Sequence, residues 1–469
     1  MAGNALEAQA WDLLNHARVT LGGRAIGVRA STDESLGTLN YDRCFVRDFA
    51  VCAPAFLLRN EAGIVRDFLV TVNALQAREG GLRAYEPRQG LMPASFRPMP
   101  GGDGHTLDAD YGEESIARVT PVDSVFWWLI TLRAYTRASG DAELARTEAF
   151  QQTIRRILHL VLTGSFEMFP TLLVPEGSFM IDRRMGVYGH PLEVQSLFFA
   201  ALRAADELLT GDDGPGDAAR ERLRNLRLHV ARHYWLDRTT LDRLREEGRD
   251  QFGERVMNVY NVFPESIPRW VEEWLPADAG YLAGNIGPGR IDFRFFAQGN
   301  LVAVTAGLAD HDEALRLMKL YDERWDDLVG KAPLRIVYPA LKGEVWKVMT
   351  GADAKNGPWQ YHNGGRWPCL LWSFAPAAIA TGRTDLLERA VAAAEKRLGE
   401  DRWPEYYDGR RGARPGKLAR RLQSWSMAAY LYAKACLRDP AAADLYRWDE
   451  DVEPEDATPA RFRSSPSTA

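Results

Sequence analysis

The chain has 469 residues, of which 46% are hydrophobic and 26% are charged, so it can bury a large core. Length alone does not decide between one large domain and several smaller ones. The formal net charge of -6 comes from acidic and basic residues mixed along the whole chain, without the basic stripe typical of a nucleic-acid-binding protein. Nucleic acid is therefore not expected as a partner.

The thiols and the N-terminal segment indicate a cellular compartment. The chain has four cysteines, too widely spaced for a disulfide framework: Cys44, Cys52, Cys369 and Cys436. Glu7 and Asp12 interrupt the N-terminal segment, so neither a secretory signal nor a transit peptide is predicted. No apolar run reaches the roughly 18 residues that a membrane span needs. We predict a soluble, cytoplasmic protein without a membrane partner.

About a dozen helices are predicted, because apolar residues recur at three- and four-residue spacing along most of the chain. Besides the N-terminal segment, these patterns cover 51–60, 62–77, 122–138, 150–162, 191–209, 219–235, 293–309, 311–328, 369–382, 384–398 and 423–437. Several follow one another in pairs, with Gly, Pro and Asp in the gaps. The pattern is typical of an all-α fold.

Strand patterns are scarce. The stretch FPTLLVPEGSFMIDRR over 169–184 has β-rich runs on either side of Pro175, Glu176 and Gly177, which predicts a β-hairpin with a three-residue loop. Asp182 would lie near the exit of the second strand.

Three long connections, 78–118, 248–291 and 350–366, are rich in Gly, Pro, Trp, Tyr and Asn. Connections longer than about 15 residues are often functional in compact domains. Paired helices with such loops predict a toroid of inner and outer helices, with the loops gathered over one mouth, since an ordinary bundle needs only short connections. The 14 tryptophans fit a site that stacks on sugar rings, although core packing is the alternative for any one of them.

Seven segments combine charged, aromatic and glycine residues as a solvated surface would not. They are NYDRCFVRDF (40–49), GLMPASFR (90–97), IDRRMGVYGHPLEVQ (181–195), GNIGPGRIDFRFF (284–296), GPWQYHNGGRWPCLLW (357–372), DRWPEYYDG (401–409) and KLARRLQSW (417–425). In this order and spacing they resemble the alkaline/neutral invertases, the sucrose-hydrolysing glycoside hydrolases of plants and cyanobacteria. The resemblance runs from about Asn40 to Trp448, with small departures at Arg43, Cys44 and Arg366.

The resemblance implies a fold and an activity. Residues 1–450 would form one (α/α)6 catalytic barrel with a small β-hairpin and long loops over one mouth, and 451–469 would be a disordered tail. The chain would hydrolyse sucrose to glucose and fructose with inversion at the anomeric carbon. No metal or other cofactor is predicted, the partner is the small sugar substrate, and assembly into a homo-oligomer is left open.

Cleavage of a glycosidic bond needs one carboxylic acid to protonate the leaving oxygen and a second carboxylate to activate water or attack the sugar. The family motifs place the general acid at Asp182 and the general base at Glu405. The rings in WPEYY around Glu405 could desolvate it and hold it in place. Arg183 and Arg184 would lower the pKa of Asp182, but burial could still decide its protonation if both arginines pair with other acids.

Fourteen further residues in these segments are candidates for binding the sugar. They are Tyr41, Phe45, Arg47, Asp48, His190, Gln195, Asp292, Arg294, Trp359, Tyr361, His362, Asn363, Gln423 and Trp425. Structural roles are the alternatives: Asp48 would favour a helix N-terminus, and His190 would be a loop histidine bonded to the backbone. Asp292 and Arg294 are expected to form an ion pair.

Two other kinds of function are compatible with the same sequence, another enzyme and a sugar-binding protein. A phosphorylase, or a hydrolase of another small glucoside, could use the same barrel, with Arg183, Arg184 or Arg294 as an anion site. A non-catalytic sugar-binding toroid would tolerate the loss of both carboxylates. His229 and His233 have the spacing of a zinc helix but lack its glutamate, and GNIGPG is not a dinucleotide fingerprint.

Overall fold

The computed structural model describes residues 2–35, 37, 39–79, 88–99, 106–114, 119–162, 169–174, 177–211, 214–250, 266–287, 290–410, 412 and 414–448. The segment 451–469, for which disorder is predicted, lies outside the described residues, as does part of the connection 248–291. Helices make up most of the regular structure.

The α-helices agree with the sequence pattern. In chain order they are α1 (Ala2–His16), α2 (Val46–Leu58), α3 (Ala62–Ala74), α4 (Ser124–Ser139), α5 (Ala142–Arg146), α6 (Glu148–Val161), α7 (Leu192–Leu208), α8 (Gly214–His233), α9 (Arg238–Asp250), α10 (Arg269–Trp274), α11 (Ala297–Thr305), α12 (His311–Glu323), α13 (Trp325–Leu328), α14 (Gly343–Thr350), α15 (Leu371–Ala380), α16 (Thr384–Glu395) and α17 (Ser424–Arg438). Every predicted helical segment overlaps one of these helices. Within the described ranges, none has the length and apolar character that a membrane crossing requires.

Six helices form a closed ring. Helices α2, α4, α7, α11, α15 and α17 contact one another in this order, and α17 returns to contact α2. Helices α1, α3, α8, α12 and α16 pack against the outside of the ring, and α6 lies beside α8. This is the (α/α)6 barrel that the sequence predicts, so the predicted fold is confirmed.

The two rings differ in how their residues are buried. All residues of α11, from Ala297 to Thr305, are buried, as expected for a helix surrounded by protein. The outer helix α6 instead buries Phe150 and Ile154, one turn apart, on a single stripe. The inner helices also approach closely: a Cβ on Gly299 of α11 would lie 2.8 Å from the backbone nitrogen of Glu193 in α7. A larger residue at Gly299 would push these helices apart.

Short strands lie in the connections between the helices, and three of them run into inner helices. They are β1 (Arg18–Leu21), β2 (Arg24–Val28), β3 (Cys44–Phe45), β4 (Ser95–Pro98), β5 (Leu107–Asp110), β6 (His190–Pro191), β7 (Trp235–Leu236), β8 (Tyr281–Leu282), β9 (Asn285–Gly287), β10 (Arg290–Asp292), β11 (Phe295–Phe296) and β12 (Val337–Tyr338). They pair antiparallel as β1–β2, β3–β4–β5, β6–β9–β10, β7–β8 and β11–β12. Strands β3, β6 and β11 run directly into α2, α7 and α11. These junctions lie at the end of the barrel where the inner helices begin.

The hairpin predicted over 169–184 is wrong, although other short antiparallel pairs are present. Val174 pairs with Gly189, and Ser178 pairs in parallel with Pro121. The backbone groups of Val174 and Ser178 are bonded to these other segments and not to each other. Gly189 is required at this crossing, because a Cβ there would lie 2.8 Å from the carbonyl oxygen of Ile286.

Candidate active site

A cavity opens at this end of the barrel. Nine predicted site residues line it: Tyr41, Phe45, Arg47, Asp48, Asp182, Tyr361, His362, Glu405 and Trp425. The walls combine carboxylates, an arginine and aromatic rings, which is the chemistry that a small polar ligand such as a sugar requires.

Asp182 reaches the cavity on an extended segment. Ser178, Met180 and Asp182 line the cavity, while Phe179 and Ile181 are buried among core residues. This alternation is the one expected of extended backbone. The peptide nitrogen of Met180 donates a hydrogen bond of 2.8 Å to Glu193 Oε1 and so fixes the segment to α7.

Burial favours the protonated form of Asp182. It raises the pKa of this carboxyl to about 6, although Arg47, Arg183 and Lys355 act in the opposite direction. Arg183 pairs with Asp353 at 2.5 Å, as the sequence argument required of it. About 30% of the Asp182 side chain still meets solvent, so a substrate that excludes this water would raise the pKa further.

His362 lies beside the same carboxyl. Its Nδ1 atom is 3.4 Å from Asp182 Oδ1, and neither atom has a hydrogen-bond partner among the described residues. Burial lowers the pKa of His362 well below its ordinary value, so the imidazole is neutral. A neutral imidazole nitrogen can accept a hydrogen bond from a protonated carboxyl, so His362 is compatible with an acidic Asp182.

Glu405 is held from three sides. Its side chain is 3% exposed, and its Oε1 atom accepts a hydrogen bond of 2.8 Å from the Tyr41 hydroxyl. The peptide nitrogen of Arg420 and the ammonium of Lys355 lie 3.4 and 3.5 Å from Oε2. The rings of WPEYY are buried around it, as the sequence predicts. The carboxylate therefore has a fixed orientation towards the cavity.

Asp48 and Arg47 bring further charge to the cavity. Burial raises the pKa of Asp48 to about 7. Arg47 is bound to both oxygens of Asp123, at 2.5 and 3.0 Å. The first turn of α2 has no side-chain cap, and its N-cap position is Phe45, so Asp48 does not serve as the cap residue.

Seven predicted residues do not line the cavity. His190 Nδ1 is 2.9 Å from the Thr171 hydroxyl, and Gln195 makes two hydrogen bonds to the backbone of Leu172. These contacts join the segment around Leu172 to the start of α7.

The other five lie in supporting positions. Asp292 and Arg294 form a buried ion pair at 2.5 Å, which confirms the predicted pairing, and Arg294 also donates to a backbone carbonyl. Asn363 is bonded to the backbone of a neighbouring loop, and Trp359 packs under an arginine. Gln423 is the N-cap residue of α17. Their roles in sugar binding remain predictions.

Three residues that support the site were not predicted from the sequence: Lys355, Asp123 and Glu193. Lys355 contacts Glu405, Asp123 holds Arg47, and Glu193 holds the segment that carries Asp182. Glu193 stands in the motif GHPLE, but the motif does not show that its carboxyl turns towards Met180. These residues act behind the cavity wall, where spacing along the chain carries no signal.

Replacing Glu193 by glutamine should stabilise the protein at alkaline pH. Burial raises the pKa of this carboxyl from 4.5 to about 8, so between these values the folded chain holds a proton that the unfolded chain has lost. The free energy of unfolding therefore falls as pH rises through this window, by up to about 1.4 kcal/mol per pH unit. Glutamine cannot ionise and keeps the acceptor for Met180.

The difference in melting temperature between Glu193→Gln and the parent should thus grow from pH 5 to pH 8. Glu344→Gln, at an exposed glutamate of α14, is the matched control. An equal difference at both pH values would show that Glu193 is ionised in the fold.

No metal site is evident in the described part of the chain, where no group of three His, Cys, Asp or Glu side chains could hold an ion. The rings of His229 and His233 lie side by side on α8, with centroids 4.5 Å apart. Burial lowers the pKa of His229 to about 4. The pair is away from the cavity lining.

An (α/α)6 barrel with carboxylates and aromatic rings at its mouth is compatible with the class of glycoside hydrolases. Two solved structures share the fold. The GH63 mannosylglycerate hydrolase from Thermus thermophilus, in complex with glucose, has a TM-score of 0.55 at 14% identity, over 91% of this chain and 99% of that one. A bacterial glucoamylase complexed with acarbose has a TM-score of 0.56 at 12% identity, over 94% and 56%.

Sequence comparison gives the family. The profile described as alkaline and neutral invertase matches residues 10–440. Neutral/alkaline invertase 1, mitochondrial, of Oryza sativa subsp. japonica is 46% identical, over 95% of this chain and 73% of the relative. Alkaline/neutral invertase CINV1 of Arabidopsis thaliana is 45% identical, over 95% and 82%. The chain belongs to the alkaline and neutral invertase family, whose reaction is the hydrolysis of sucrose to glucose and fructose.

Proposed function

We propose that the chain hydrolyses sucrose in a single displacement with inversion, with Asp182 as general acid and Glu405 as general base. The observation that carries this assignment is that both carboxyls line one cavity in different surroundings. Asp182 has its pKa raised by burial, whereas Glu405 accepts hydrogen bonds and lies beside an ammonium group. Glycoside hydrolysis requires one carboxyl that donates a proton and a second that accepts one.

The reaction follows from these positions. Asp182 gives its proton to the oxygen that joins glucosyl and fructosyl units as the bond to the anomeric carbon breaks. Water attacks this carbon from the opposite face, while Glu405 takes a proton from the water. The products are fructose and β-glucose, and exchange with solvent returns the proton from Glu405 to Asp182. The two carboxyls are expected to lie about 6.5–9.5 Å apart, which leaves room for the water.

The glucosyl unit is proposed to occupy the cavity itself. Asp48 and Arg47 would bind its hydroxyls, and Tyr361 and Trp425 would pack against its carbon–hydrogen faces. All four residues line the cavity. Because Asp123 holds Arg47 by two hydrogen bonds, the guanidinium is preorganised and little entropy is lost on binding.

Sucrose should be cleaved well and raffinose poorly. In raffinose the glucosyl unit carries a further sugar, which a cavity closed around an unsubstituted glucosyl unit would exclude. Initial rates at equal concentrations of the two sugars test this, with release of fructose as the readout. Equal or faster turnover of raffinose would place the recognised unit on the fructosyl side.

Phosphorolysis on the same barrel would require an anion site. Of the three candidates for it, Arg183 and Arg294 are paired with Asp353 and Asp292, and Arg184 is exposed and does not line the cavity. Turnover is therefore expected to be independent of phosphate. Phosphate-dependent release of glucose 1-phosphate would favour the phosphorylase.

We also propose that residues 1–450 act as one catalytic domain in the cytoplasm. Buried apolar residues from Ala10 to Trp448 belong to one continuous core, which supports the single domain. The four cysteines are buried and free, which fits a reducing compartment. Limited proteolysis that released a stable internal fragment would contradict the single domain.

A further inference from the structure

The ammonium group of Lys355 lies behind the wall of the active site, next to Glu405. Lys355 follows α14, and its side chain is only 12% exposed. Its Nζ atom lies 3.5 Å from Glu405 Oε2 and donates to the Tyr41 hydroxyl at 3.4 Å. It also lies 4.1 Å above the centre of the Tyr361 ring. The ammonium is therefore enclosed by a carboxylate, a phenol and an aromatic face.

These contacts form a closed arrangement around the base. Tyr41 accepts a hydrogen bond from Lys355 and donates one to Glu405 Oε1, while Lys355 faces Oε2 of the same carboxylate. Burying a charge is costly unless it is paired and hydrogen-bonded, so the lysine and the glutamate stabilise each other's burial. Removal of the ammonium would leave the buried Glu405 carboxylate with less charge compensation and with only the Tyr41 and Arg420 contacts to orient it.

We propose that Lys355 is a positioning residue for the general base. Together with Tyr41 it sets the orientation of the Glu405 carboxylate, so that the lone pairs left over point to the attacking water. This inference rests on the proposed role of Glu405. The inference adds that the base is aligned by Lys355, a residue that does not line the cavity.

Lys355 also acts on the acid. The cation lowers the pKa of Asp182, so its loss should raise that pKa further. The charged and titratable groups around Lys355 are Tyr41, Glu405, Tyr361, His362, Asp182 and the Arg183–Asp353 pair. Asp182 must be protonated to act, so the alkaline limb of the pH profile for sucrose should move to higher pH in a variant without the charge.

The test compares Lys355→Met, Lys355→Arg and a control, Lys347→Met, which removes an exposed lysine of α14. Lys355→Met should lower kcat about tenfold or more, since small misplacements of catalytic groups have effects of this order. At pH values below the alkaline limb of the profile, the loss should be equal on sucrose and on α-glucosyl fluoride, because both need the base, and KM should change less than about threefold. Lys355→Arg should recover most of the activity, and the control should match the parent.

Several outcomes would overturn the inference. One is a Lys355→Met variant that melts at lower temperature but keeps kcat and the pH profile. Another is a loss confined to KM or to sucrose. If Lys355→Met does not fold, Tyr41→Phe, which removes the bridging hydroxyl, must still lower kcat equally on both substrates. Normal activity of Glu405→Gln would contradict the proposed base itself, whereas an inactive Glu405→Gln with an unaffected Lys355→Met would contradict only the role of Lys355.

Discussion

Replacing Asp182 by asparagine is expected to lower the turnover of sucrose by about 10²-fold or more while sparing α-glucosyl fluoride. Positioned proton transfer contributes at least about this factor to catalysis. Fructose is a poor leaving group without a proton, whereas fluoride leaves without one. The amide has nearly the shape of the carboxyl, so the fold and the binding of sugar should be kept. Initial rates on both substrates measure the effect.

The matched control is Asp278→Asn, which changes an exposed acid that pairs with Lys319 and does not line the cavity. It should not separate the two substrates. An Asp182→Asn variant that is equally impaired on sucrose and on the fluoride would show that Asp182 is not the proton donor.

Replacing Glu405 by glutamine should lower the turnover of both substrates to a similar degree, again by about 10²-fold or more. Water must lose a proton as it attacks whichever leaving group departs, so an activated leaving group cannot compensate for the missing base. The substitution keeps an acceptor for the Tyr41 hydroxyl, so its effect on the melting temperature should be smaller than its effect on the rate.

The stereochemistry of the product gives an independent measurement. With Glu405 acting on water, the first glucose released from sucrose by the parent protein is the β anomer, which proton NMR detects before mutarotation. Release of the α anomer would mean that the two carboxyls work by double displacement. In that case Glu405 would be a nucleophile and would lie about 5–5.5 Å from Asp182.

The barrel could be predicted because it follows from local pattern. Apolar spacing placed every long inner helix, and glycine and proline marked the gaps. The hairpin over 169–184 could not be predicted in the same way, since β-rich residues show that a segment is extended but not which segment it pairs with. Val174 pairs with Gly189 and Ser178 pairs with Pro121. Both partners lie outside the segment that was predicted to form the hairpin.

Residues that line the cavity could be predicted more readily than residues that hold the cavity-lining side chains in position. The resemblance to the invertase motifs pointed to Asp182 and Glu405, which composition alone could not select among 64 acidic residues. Lys355 and Glu193 were not predicted, because each acts through a contact with a residue distant in sequence: Lys355 with Glu405, and Glu193 with Met180. The protonation of Asp182 also depended on burial and on the partner of Arg183, and neither is written in the local sequence.

The inner helices begin at the mouth, and this has an electrostatic consequence. The first turn of each helix carries about half an elementary positive charge from its aligned peptide dipoles. A ring of such ends favours anions near the cavity and opposes the positive charge that develops on a glucosyl ring as its bond breaks. The acidic residues at the mouth, including Asp48 in the first turn of α2, offset this field when they are ionised. A barrel of this kind therefore suits sugar cleavage only when its loops and helix starts supply acids to the centre of the ring.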